Sequence, residues 1–226
     1  MQRKFIIHKL FLLVLSATVY LHAAEDSAWV KLFNGKDLKD WDIHFAGKPL
    51  NTNYNNTFKV VNGLLEVDYS EWHENNIMGH AANKLRPYSY YWLRSEYQVV
   101  SGPRPGGAPG WATQNNGLML HSQSMASMGM NQDYPNSLEG QLMGHESEVN
   151  TTMNLCTPGT AWYNDSAGQN FVGQHCTNSS PNYQAETDYG WNYVSARVLA
   201  DSVINFFMYL ENRFLNFTTP FMMDLM

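Results

Sequence analysis

The chain has 226 residues, of which 14 are basic and 20 acidic, giving a net charge of −6 at pH 7. The basic residues do not cluster into the kind of surface that follows a phosphate backbone, so we expect no nucleic-acid partner. Without the first 24 residues, which predict a signal peptide, roughly 200 residues remain, a length that suits one all-β domain.

The first 24 residues predict a cleaved signal peptide. Three basic residues, the last of them Lys9, precede an apolar run at 10–21, and the small pair Ala23 and Ala24 suits a cleavage site. The run is shorter than the roughly 20 residues that cross a bilayer as a helix. We therefore expect a mature chain, 25–226, that is periplasmic or secreted and free of the membrane. With three of 14 basic residues removed against 20 acidic ones, its charge is −9.

Short strands separated by turn residues dominate the rest of the prediction. The Asn62-Gly63 pair lies between two apolar segments and predicts a tight hairpin. Many short strands with recurring turns favour a sandwich or barrel. The long segment 146–189 has few strand signals and is predicted as a loop. The predicted strands are 58–61, 64–69, 90–100, 117–122, 137–143 and 193–209, the last long enough for two strands with a bend.

Cys156 and Cys176 are the two cysteines of the chain. In an exported protein, an even number of cysteines predicts a disulfide, which here would close a long loop. The alternative is a metal site that also uses His175. The spacing lacks the C-x-x-C pairs that make a zinc site convincing.

Several segments, in order along the chain, resemble motifs of the 3-keto-disaccharide hydrolase family. They are WVKLFNGKDL at 29–38 followed by Trp41, the hairpin at 58–67, YWLRSEY at 91–97, NNGLMLHS at 115–122 and YPNSLEGQLMG at 134–144. Two further segments, NLCTPGT at 154–160 and HCTNSS at 175–180, resemble one branch of that family.

The resemblance implies an all-β, concanavalin-like (jelly-roll) sandwich of two curved antiparallel sheets with substrate on the concave face. It also implies hydrolysis of glycosides already oxidised to a ketone at the third carbon of the sugar, in some members with a divalent cation. The family's closing strands have no counterpart after about residue 206. We therefore expect residues 25–226 to form a single sandwich domain that is incomplete at its C-terminus.

Alternation along the strands predicts which side chains share a face, because successive side chains of a strand point to opposite faces. Glu139 and Gln141 oppose the leucines on either side of them. His121 and Glu96 fall on the polar faces of their own strands. We therefore expect three neighbouring strands to line one polar face with Glu96, His121, Glu139 and Gln141.

A 3-keto sugar allows cleavage by elimination, because the ketone acidifies the proton on the adjacent carbon and water can add after the glycosidic oxygen has left. This route needs a base, an acid and a group that stabilises the enolate oxygen. We expect Glu139 and His121 to act as acid and base, in an order that the sequence leaves open. The expected cation ligands are Glu139 and Glu96, and the expected substrate contacts are Gln141, Asn116, Glu96 and His175.

A conventional glycosidase with two carboxylates is disfavoured, because the residue two positions after Glu139 is Gln141 and not a second acid. Two other hypotheses stay open. A non-catalytic carbohydrate-binding module on the same sandwich would keep its ligand when Glu139 is replaced. A structural extracellular domain would depend on neither Glu139 nor His121. For His175, which lies beside Cys176, stabilisation of its own loop is an equal alternative to contact with the substrate.

Overall fold

The computed structural model describes residues 29–73, 77–100, 109–144, 146–147, 152–160, 162–164, 169–171, 176, 190–199 and 203–209. Within these ranges the chain forms twelve β-strands, three single 3-10 turns and no α-helix. None of the helical turns in this part of the chain has the length and apolar character needed to cross a membrane.

All strand pairs are antiparallel, and the all-β sandwich predicted from the sequence is confirmed. Two sheets have three strands, in the orders β12-β11-β5 and β6-β7-β8, and the other strands form the pairs β1-β4, β2-β3 and β9-β10. The strands are β1 (Trp41–Phe45), β2 (Phe58–Val61), β3 (Leu64–Val67), β4 (Gly79–Asn83), β5 (Tyr90–Gln98), β6 (Asn115–Leu120), β7 (Leu138–Met143), β8 (Asn154–Cys156), β9 (Trp162–Asn164), β10 (Gln169–Phe171), β11 (Trp191–Leu199) and β12 (Val203–Tyr209).

The hairpin predicted at Asn62 and Gly63 is present. Both residues have positive φ angles, 52° and 83°, as a tight two-residue turn between twisted strands requires. Segment 146–189 was wrongly predicted as a loop throughout, because it contains β8, which pairs with β7, and the paired strands β9 and β10.

The main core lies between the two three-stranded sheets. Leu120 of β6 packs with Leu93 of β5 and Val198 of β11, and Leu118 contacts the same cluster. Because neighbouring side chains of a strand point in opposite directions, this packing determines the outer face of the second sheet. That outer face carries Gly117 and Met119 from β6 and Glu139 and Gln141 from β7.

A second core lies beside β1 and β4. We call it the aromatic cluster, and it contains Phe45, Tyr54, Phe58 and Trp72. Its buried polar groups are paired. Thr57, which is buried next to the rings, donates its hydroxyl to the Tyr54 carbonyl at 2.6 Å and accepts from Trp72 Nε1 at 2.7 Å.

Candidate active site

Glu139 is a buried carboxylic acid in the middle of β7. It lies opposite Met119 of β6 and Cys156 of β8, and only 6% of its surface is exposed. Among the residues that the structure describes, none forms a hydrogen bond or ion pair with its carboxylate. Burial raises the pKa of Glu139 to about 7. The group therefore exchanges a proton near neutral pH.

The side chain of Glu139 lies across Gly117. A Cβ atom on Gly117 would come within 2.1 Å of Glu139 Oε1. No other residue type at position 117 leaves the carboxylate in place, because contacts under about 3 Å force one group to move. The glycine thus determines where the carboxylate sits.

Gln141 lies on the same face, and its amide group is oriented by its neighbours. Asn154 Nδ2 donates to Gln141 Oε1 at 2.9 Å, and Gln141 Nε2 lies 3.8 Å from Cys176 Sγ. Because the oxygen is already used as an acceptor, the amide nitrogen is the end of Gln141 that is directed away from Asn154. Cys176 and Cys156 are bonded, which confirms the predicted disulfide and leaves no thiolate for a metal.

Tyr134 and His80 border the same site, and sequence reasoning missed both. The ring centroids of Tyr134 and His80 are 5.6 Å apart. Burial, the charge of Glu139 and the charge of Asp133 raise the pKa of Tyr134 to about 12. The pKa of His80 is lowered, chiefly by burial. Tyr134 therefore remains a protonated phenol and His80 a neutral imidazole at pH 7.

These side chains open onto one cavity of about 1580 Å³. Its lining runs from Glu139 and Gln141 to Trp72 of the aromatic cluster, and its volume exceeds the roughly 300–1,000 Å³ of typical ligand cavities. Two tryptophans that line it, Trp111 and Trp191, are 42% and 50% exposed. Flat apolar rings of this kind suit the apolar face of a sugar ring.

The family model described as a 3-keto-alpha-glucoside-1,2-lyase-like domain matches residues 28–208. The chain belongs to this family. No curated protein and no solved structure matches the chain significantly.

Two of the residues predicted for the site of this lyase-like domain do not share a face with Glu139. Glu96 lies on β5, which pairs with β11 in the other sheet, so the predicted order of three neighbouring strands was wrong. His121 has a φ of 48°, which breaks the alternation of β6, and its exposed ring packs edge-on against Tyr91 at 5.9 Å. A catalytic role of His121 stays a prediction.

Asn116 and His175 were also predicted to contact the substrate of the lyase-like domain. Asn116 is exposed and lies on the face of β6 opposite Gly117, and its Oδ1 accepts from the Gly117 amide at 2.8 Å. Both Asn116 and Glu96 still border the cavity. His175 lies outside the described residues, so its role also stays a prediction.

A divalent cation at Glu139 and Glu96 finds no support in the donor set. In the described part of the chain, no three His, Cys, Asp or Glu residues come together as metal ligands do. The two predicted carboxylates lie in different sheets. Any cation that a lyase-like domain uses would need ligands other than this pair, and no step below passes through one.

Proposed function

We propose that the chain is an exported enzyme that cleaves glycosides of 3-keto sugars by elimination followed by addition of water, with Glu139 as the general base. The observation that carries this proposal is the buried Glu139 carboxylate, which faces the cavity and has no hydrogen-bond partner among the described residues. Burying such a group without a partner is unfavourable for folding. A ligand that completes the site explains why it is there.

The raised pKa of Glu139 suits proton abstraction from carbon. A base works best when its pKa is near the working pH, and burial brings this carboxyl group to about 7. The proton next to the ketone is acidic because the resulting negative charge spreads onto the ketone oxygen. Removal of that proton from the second carbon lets the bond between the first carbon and the glycosidic oxygen break. The family description names a 1,2-lyase, which supports elimination between these two carbons.

Addition of water then completes the hydrolysis. Water adds its oxygen to the first carbon of the unsaturated ketone, and the Glu139 carboxyl group, once its proton has exchanged with solvent, protonates the second carbon. The net products are the free alcohol and the 3-keto sugar, so atoms and protons balance. Gln141 offers its amide hydrogens from the same face as Glu139, and we assign it a hydrogen bond to the enolate oxygen or to a sugar hydroxyl.

The arrangement of acids supports this route over a conventional two-carboxylate mechanism. That mechanism needs carboxyl groups about 5–9.5 Å apart on either side of the glycosidic bond. Two other acids, Glu66 and Glu96, border the cavity, but Glu96 belongs to the sheet of β5 and β11 and Glu66 to the pair of β2 and β3. Glu139 has no second carboxylate beside it on β6, β7 or β8 within the described residues.

The proposal is tested with 4-nitrophenyl 3-keto-glucosides of both anomeric configurations. We expect the wild type to release 4-nitrophenol and Glu139→Gln to lower kcat/KM by about 10²–10⁴-fold. Glu71→Gln is the matched control, because Glu71 is exposed and does not border the cavity. Equal activity of Glu139→Gln and the wild type would refute the assignment. A folded wild type that binds the ketone without turnover, and with the same affinity as Glu139→Gln, would establish the binding module instead.

A further inference from the structure

The segment that carries Tyr134 is anchored by two histidines from a different sheet. His44 and His80 face each other across β1 and β4. His44 Nε2 lies 2.8 Å from the Gln132 carbonyl oxygen, and His80 Nε2 lies 2.7 Å from the Asp133 carbonyl oxygen. A carbonyl oxygen only accepts, so both imidazoles carry hydrogen on Nε2 and donate it.

The side chain of Tyr134 is held as well as its backbone. The His80 ring contacts the Tyr134 ring at an interplanar angle of 59°, and Gln132 Nε2 donates to the Tyr134 carbonyl oxygen at 2.7 Å. Tyr134 and Glu139 border the same cavity, and the charge of Glu139 acts on the phenol. The site thus pairs a titrating carboxyl group with a fixed phenol.

The Glu139 carboxyl group and the Tyr134 phenol hold their protons with different strength, as the base and the acid of a catalytic pair do. The Glu139 carboxyl group titrates near neutral pH, while the phenol keeps its proton throughout the physiological range. Environments that push two titrating groups apart assign their roles in acid–base catalysis. His121, predicted from the sequence as one member of the acid and base pair, packs edge-on against Tyr91 and also borders the cavity.

We propose that Tyr134 donates the proton to the departing glycosidic oxygen while Glu139 takes the proton from the second carbon. His80 is a positioning residue for this phenol. In the elimination, the electron pair of the broken carbon–oxygen bond leaves with the oxygen, which receives the Tyr134 proton. The phenolate recovers a proton from the water that adds to the first carbon, and the Glu139 carboxyl group, whose proton has exchanged with solvent, protonates the second carbon. This inference rests on the proposed function.

The test compares two leaving groups, because 4-nitrophenolate departs without a proton and an alkoxide does not. On methyl 3-keto-glucoside, we expect Tyr134→Phe to lower kcat/KM by about 10²–10⁴-fold. On the 4-nitrophenyl substrate, we expect a loss of less than about 10-fold, since little acid catalysis is needed there. Tyr90→Phe is the control, because Tyr90 is 66% exposed and does not border the cavity.

The outcomes separate this inference from the function on which it rests. A wild type that cleaves neither substrate refutes the proposed function. If Glu139→Gln is inactive on both substrates and Tyr134→Phe matches the wild type or loses equally on both, only the role of Tyr134 is refuted. Should Tyr134→Phe melt below the assay temperature, 3-fluorotyrosine at position 134 keeps the ring and the hydroxyl group. It is expected to change the rate on the methyl substrate alone, and unchanged rates on both substrates would overturn the inference.

Discussion

The aromatic cluster and the outer face of β7 both contain buried polar groups, but these groups differ in their hydrogen bonding. Thr57 is 2% exposed, and its hydroxyl is hydrogen-bonded to the Tyr54 carbonyl and to the Trp72 ring nitrogen. Glu139 is 6% exposed, and no described residue hydrogen-bonds to its carboxylate. Burial alone therefore does not distinguish a structural from a functional polar residue. What marks Glu139 as functional is that its carboxylate borders a cavity and has no hydrogen-bond partner among the described residues.

The largest loss of stability is expected in the aromatic cluster. Trp72 packs edge-on against Tyr54 and Tyr69, so Trp72→Ala leaves a cavity and should lower the free energy of unfolding by about 3–5 kcal/mol. Trp191→Ala is the control, and because Trp191 is half exposed it should stay within about 0.5 kcal/mol of the wild type. Urea denaturation measures both. Equal losses in the two variants would contradict the assignment of the cluster as a core.

Glu139→Gln should act in the opposite direction, and only at higher pH. Burial raises the pKa of Glu139 from 4.5 to about 7, so the folded state holds its proton more tightly than the unfolded state. The stability that comes from this proton is fully present below pH 4.5 and is lost as the pH rises through 7. At pH 8 the variant should be more stable than the wild type by on the order of 3 kcal/mol.

The measurement is urea denaturation of both proteins from pH 4 to 8, in which other titrating groups cancel between them. A stability difference that does not change across this range would show that Glu139 titrates as an exposed carboxyl group does. It would also remove the electrostatic argument for Glu139 as a base.

Thr57→Val should destabilise the protein at every pH. It removes the hydroxyl that accepts from Trp72 Nε1 and leaves that buried donor unpaired, at a cost of about 1–3 kcal/mol. Replacing the buried polar group thus lowers the stability at Thr57 and raises it, at higher pH, at Glu139. Thr57→Ser, which keeps the hydroxyl, is the control and should lose less. Unfolding of Thr57→Val at the same urea concentration as the wild type would contradict this pairing.

Two glycines offer the smallest and most specific comparison. A Cβ on Gly79 would meet the Phe45 ring at 2.1 Å, and one on Gly117 would meet Glu139 Oε1 at the same distance. Gly79→Ala overpacks a core and should cost about 1–3 kcal/mol of stability. Gly117→Ala meets the end of a flexible side chain, so we expect a smaller stability loss.

The two glycine variants should rank in the opposite order by loss of activity. Displacing the Glu139 carboxylate by about 1 Å should lower kcat/KM about 10²-fold in Gly117→Ala, while the folded fraction of Gly79→Ala stays active. Paired denaturation and turnover assays measure both effects. Full activity of Gly117→Ala would mean that the position of the carboxylate is not critical.

Local patterns explain what the sequence predicted correctly. The Asn62-Gly63 hairpin depends on two residues that tolerate positive φ, and the shared face of Glu139 and Gln141 depends only on the period of one strand. The disulfide followed from the cysteine count. Each of these predictions needs no knowledge of which strands become neighbours.

The missed features depend on strand order, on one residue with an unusual backbone conformation, or on a strand without a typical strand composition. Glu96 was placed beside Glu139 because β5 was expected next to β6, whereas it pairs with β11. The positive φ of His121 was not predicted, because only a small share of histidines adopt it, although histidine does so more often than most residues. His80 was missed because β4, with the sequence GHAAN, lacks the β-branched and aromatic residues that mark a strand.

The most direct test of the central claim is cleavage of a 3-keto-glucoside in D₂O, with analysis of the released 3-keto sugar for deuterium at its second carbon. Corrected for exchange without enzyme, the wild type should incorporate one deuterium per turnover, because the proton that Glu139 removes is replaced from solvent. Glu139→Gln should incorporate none above the background. Cleavage by the wild type without deuterium at that carbon would contradict elimination and the role of Glu139 as its base.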